Sequence, residues 1–157
     1  MTKTDINDLA QRWPSMRPFV AMGSIATIAA GIASATTAGT PSYLASWAVA
    51  YLVLVVGVAQ IALGLGQALL MPEMPSARLV IGEWVLFNLG SAAVLAGSLL
   101  NMPLFTIIGS VLLLIALGML FWTTRSSARG GWLRYAYWLL IAILFVSVFI
   151  GLVIARG

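Results

Sequence analysis

The sequence predicts an all-α fold: a polytopic membrane bundle of five transmembrane helices, N-terminus cytoplasmic and C-terminus outside. Three observations predict it. Of the 157 residues, 62% are hydrophobic and 8% are charged, and the mean hydropathy is +1.06. A water-soluble domain of this size has too little interior to hide so much apolar surface. Apolar runs of the roughly 20 residues needed to cross ~30 Å of hydrocarbon alternate with short connections rich in turn residues. The basic residues are also one-sided. Lys3, Arg12 and Arg17 precede the first run, Arg78 opens the third, and Arg125, Arg129 and Arg134 surround the last turn, against Arg156 alone on the other side. Cytoplasmic loops retain Lys and Arg, which sets the expected orientation.

The chain divides into a cytoplasmic amphipathic leader, residues 1–17, and a transmembrane domain, residues 18–157. In the leader, Thr4 suits a helix cap, Asp5 and Asp8 suit the positive end of the helix, and Arg12 suits the negative end. Ile6, Leu9 and Trp13 share a face suited to the headgroup layer, and Pro14 is expected to end the helix. The first span is expected over 18–37, with Pro18 at a first helical position. It contains Ala33-Ser34-Ala35, a sequence with the look of a signal-peptidase site. The long leader argues instead for an uncleaved helix.

The remaining spans are expected over 43–70, 78–100, 104–124 and 132–155. They are separated by turns carrying Gly39 and Pro41, Pro72 and Pro75, Asn101 and Pro103, and Gly130-Gly131. Links this short make consecutive helices antiparallel neighbours. The second span exceeds a perpendicular crossing and must tilt or project. Five Trp residues, at positions 13, 84, 122, 132 and 138, fall towards the cytoplasmic side and Trp47 towards the other. Amphipathic rings favour those depths.

Several chemistries are excluded at the outset. With no Cys and no His, the chain forms no disulfide-linked partner, no thiolate metal site and no His-ligated haem, and it lacks the commonest general base. Met71 and Met74 alone make a weak thioether site. The basic residues are spread over loop edges rather than gathered, which fits anionic headgroups and not nucleic acid. No catalytic, cofactor-binding or metal-ligating residue is therefore expected, and no cofactor.

What the spans do carry is small and polar residues at helical spacing. Gly57, Gln60, Gly64 and Gln67 form one stripe in the second span. In the third, Glu83, Gly90, Val94, Gly97 and Asn101 form another, flanked by Ser91 and Ser98. Gly23, Thr27, Gly31 and Ala35 line the first span, and Ser147, Gly151 and Ala155 the fifth. Such stripes allow close helix approach and cross-helix hydrogen bonds. They serve either to pack the bundle or, on the first or fifth helix, to dock on another integral membrane protein.

Glu83 is the one acid well inside a span, a functional suspect by position. Arg78 and Arg134 approach its side of the membrane and are expected to pair with it. The alternative is a proton or cation site. Asn88 is expected to bond a neighbouring helix.

The stretches Val56-Gly57-Val58-Ala59-Gln60-Ile61-Ala62-Leu63-Gly64, Pro75-Ser76-Ala77-Arg78-Leu79 and Trp84 to Gly90 resemble short uncharacterised polytopic membrane proteins of actinobacteria. That resemblance covers the middle third of the chain and implies no activity; it implies a multi-pass protein of a bacterial plasma membrane. In size and plainness the chain is similar to accessory subunits of actinobacterial respiratory supercomplexes. The expected function is therefore that of a non-catalytic subunit, held in the lipid bilayer against other integral membrane proteins. The alternative is a small homo-oligomeric transporter or channel with Glu83 in its path.

Overall fold

The computed structural model describes residues 3–40, 42–71, 73–125 and 131–154, with side chains from residue 10 to residue 152 within those stretches. The described elements are helical: α1 (Lys3–Thr37), α2 (Tyr43–Tyr51), a π-helical stretch (Leu52–Ala59), α3 (Gln60–Leu70), α4 (Ala77–Leu99), α5 (Pro103–Thr124) and α6 (Trp132–Ile154). Five spans among them are long and apolar enough to cross a membrane. One is the continuous rod Tyr43–Leu70, built from α2, the π stretch and α3.

The leader departs from expectation. Pro14 does not end a helix; α1 runs unbroken through both Pro14 and Pro18. Each proline removes one backbone donor. Tertiary contacts offset that loss. Arg12, Ser15, Met16 and Phe19 are all buried, and the Arg12 guanidinium donates through Nη1 to Ala68 O at 2.6 Å and Met71 O at 2.7 Å, at the end of α3. The boundary expected between residues 17 and 18 thus falls inside one continuous helix. The side chains of Ile6 and Leu9, half of the expected amphipathic face, lie outside the described residues, as do Arg129, Ala155 and Arg156.

The other helix ends follow from their residues. Ser42 and Ser76 cap α2 and α4, accepting from Ala45 N and Leu79 N. Pro103 begins α5. The α4–α5 turn closes with Asn101 at φ 53° and a Met102 N–H to Gly97 O bond of 2.8 Å. This is the helix-ending motif in which a left-handed residue redirects the chain.

Helix α4 packs most extensively on α5, α1 lies along the π stretch and α3, and α6 rests on α5 and α3. Glycines set the two closest crossings. A Cβ on Gly109 would lie 2.6 Å from both Gly90 O and Val94 N, so backbone meets backbone between α4 and α5. On the other side, a Cβ on Gly23 would stand 2.8 Å from Gly57 O. Between these seams the core is filled by Phe19, Leu63, Phe87, Leu113, Leu117 and Leu120.

Candidate functional site

The second-span stripe resolves into two edges. Its glycine edge meets α1: Gly57 faces Thr27, whose hydroxyl donates to Gly23 O at 2.9 Å, and Gly64 is covered by Phe19. Its glutamine edge turns into the bundle, where Gln60 and Gln67 are both buried. Gln67 Nε2 donates to Glu83 Oε2 at 2.6 Å and contacts Thr123 Oγ1 at 3.2 Å. The Thr123 hydroxyl lies 3.4 Å from Glu83 Oε1 and 3.1 Å from Leu120 O. Gln60 is buried with neither amide atom bonded.

Glu83 itself is fully buried, and its expected ion pair is not what the structure holds. Its bonded partners are the neutral side chains of Gln67 and Thr123. Arg78 is exposed at the start of α4, too near the helix end for its stem to turn inward. Arg134 spreads over aromatic rings instead, 5.1 Å from the Trp138 centroid and 5.5 Å from that of Tyr135. A guanidinium stacks readily on an aromatic face. Asn88 likewise departs from expectation: its amide donates to Trp84 O of its own helix at 2.8 Å, and its Oδ1 is buried without a partner.

Of the packing residues, Gly23, Gly57 and Gly64 join α1 to the second rod, and Gly90 and Gly97 join α4 to α5. Gly31 and Gly151 have nothing within 4 Å of a built Cβ, and Ser147 is exposed.

Four residues escaped the sequence reading, Gly66, Gly109, Thr123 and Tyr137, and Arg12, read as a charge for the end of its own helix, serves the end of α3 instead. Gly66 receives the ring of Tyr137, whose hydroxyl is buried without a partner and lies within electrostatic reach of Glu83. One signal for Thr123 was present. An antiparallel register that sets Gly97 on Thr106 and Gly90 on Gly109 carries Glu83 opposite the last turns of α5, the end that holds Thr123.

At the opposite end, an uncharged cleft of about 550 Å³ opens between α2, α4, α5 and α6. Val55, Val94, Leu113 and Leu144 line its deep part, and Ser98, Asn101, Thr106 and Ser147 its rim. Trp47 and Tyr51 form one wall, stacked at 5.4 Å. Gly97 and Gly151 complete the cleft from opposite sides.

No group of three or more acidic, His or Cys residues able to hold a metal occurs among the described residues. No protein-family model, curated protein or solved structure matches this chain.

Proposed function

We propose that this chain is a non-catalytic, multi-pass subunit of a bacterial plasma membrane that packs against a larger membrane complex and stabilises it. The cleft between α2, α4, α5 and α6 carries this reading. It is uncharged, sits among helices able to span a bilayer, and has the small residues Gly97, Ser98, Ser147 and Gly151 on its walls. Small residues admit a neighbouring helix to close packing distance. The uncovered Gly31 adds a second face of the same kind on α1. The resemblance to actinobacterial proteins favours a respiratory electron-transfer assembly as the larger complex. The seven-to-one distribution of basic residues supports a cytoplasmic N-terminus and an outer C-terminus, which puts the cleft in the outer half.

Purification from native membranes in mild detergent tests the reading. A stoichiometric membrane partner should comigrate, and the double substitution Ser147→Leu/Gly151→Leu should release it without lowering helix content. Gly118→Leu, at another position with open space around it, should leave the assembly intact. A wild-type chain that migrates alone as a monomer overturns the proposal.

Glu83 favours a second reading, a small homo-oligomeric transporter or channel in which Glu83 and Gln67 line the path. Glu83→Gln should then abolish ion flux in proteoliposomes while the bundle stays folded. Flux equal to wild type discards it.

A further inference from the structure

Glu83 is an acid enclosed by neutral groups. Gln67 from α3 and Thr123 from α5 bond to it. Among the described residues no cationic side chain pairs with it. A lone carboxylate withdrawn from water is costly, and within a spanning helix such a group marks an ion or proton position by default. The described residues thus supply no positive charge to balance it.

We propose that Glu83, Gln67 and Thr123 form a buried site for one monovalent cation, a proton or a sodium ion, held at the Glu83 carboxylate. Two features support it. Glu83 is fully buried, and its two oxygens bond to neutral side chains, Oε2 to Gln67 and Oε1 to Thr123. The charge also balances at one: a single carboxylate with a single cation leaves a neutral cluster, whereas a divalent ion needs more anionic ligands than the described residues supply. A proton on Glu83 would be donated to the oxygen of Thr123. A sodium ion would take the oxygens of Glu83 and Thr123, with the Gln67 amide turned to present its carbonyl. Thr123 is the one member that is partly exposed, in the last turn of α5, so exchange enters from that end. Tyr137 on α6 is the other titratable group within electrostatic reach of the site. The site does not depend on the cleft or on a partner, and it stands whether or not the chain transports.

Carbodiimide labelling tests it, because the hydrophobic reagent dicyclohexylcarbodiimide adds to a protonated carboxyl and leaves a stable acylurea. The full chain in mild detergent should acquire one intramembrane adduct, located by peptide mass at Glu83 and missing from Glu83→Gln. Slower labelling in sodium chloride than in choline chloride identifies sodium as the occupant. Labelling that responds to pH and to no salt identifies the proton. Thr123→Val keeps the side chain's shape and removes the hydroxyl at Glu83 Oε1, and should shift the half-effective sodium concentration, or proton concentration, about tenfold, the worth of one hydrogen bond to a charged group. Absence of a Glu83 adduct from mildly acidic to mildly basic buffer shows no exchangeable cation and overturns the proposal. A Thr123→Val chain that labels and is protected as wild type overturns the three-residue site.

Discussion

The Arg12 clamp gives the sharpest stability prediction. The Arg12 side chain, 6% exposed, reaches from α1 to the last turn of α3 and donates to Ala68 O and Met71 O at 2.6 and 2.7 Å. Those carbonyls belong to the helix end, where backbone acceptors have no intrahelical donor and the macrodipole favours a cation. Hydrogen bonds from a charged donor are worth about 1.5–3 kcal/mol each. Both bonds leave one nitrogen, so they do not add in full, and removing a buried guanidinium also recovers part of its desolvation cost. Arg12→Ala should therefore destabilise the bundle by about 2–3 kcal/mol. Arg12→Lys offers a point charge with rotatable donors in place of the planar fork, and should recover about half of that loss.

The assay is equilibrium unfolding in mixed micelles, titrated with a denaturing detergent and followed by circular dichroism. An Arg12→Ala chain within about 0.5 kcal/mol of wild type, the spread of an ordinary surface substitution, would refute the clamp. Lysine and alanine variants of equal stability would refute its electrostatic part.

Two further outcomes follow from the seams and the charge bias. Gly109→Ala places a methyl against Gly90 O and Val94 N and should cost about 1–3 kcal/mol by overpacking in the same unfolding assay. Gly118→Ala, with open space around it, should be neutral or gain up to about 1 kcal/mol from helix propensity. The chain has no cysteine, so single cysteines at exposed Gly39 and Glu73 report orientation directly. In intact cells an impermeant maleimide should label Gly39→Cys and spare Glu73→Cys.

The extent of each span was legible because hydropathy and helix-stopping residues act locally. The 43–70 reading coincides with the rod Tyr43–Leu70, and the reading of 132–155 meets α6 at Trp132. Where the decision belonged to tertiary contacts, local rules failed. Pro14 carries the strongest stop signal in the leader, yet α1 continues through it, with Arg12 and Phe19 fastened to α3 and Gly64 on either side. Glu83 was recognisable as an anomaly, but its partners were not. Proximity in sequence suggested Arg78, while the antiparallel register of α4 on α5 selected Thr123. Tyr137 illustrates a different gap. No local pattern singles it out, and its side chain turns inward because Gly66, on another helix, leaves a recess for it.

The π stretch, Leu52–Ala59, sits between the two sites. Tyr51 and Val55 border the cleft, and Gln67 touches Glu83 at the other end of the same rod. A π turn holds one residue more than an α turn needs. Rewinding one such turn to α geometry would advance everything beyond it by one position, about 100° of rotation and 1.5 Å of travel. The register that places Gln67 against Glu83 of α4 and Thr123 of α5 is therefore set some three turns away, in the stretch that borders the cleft.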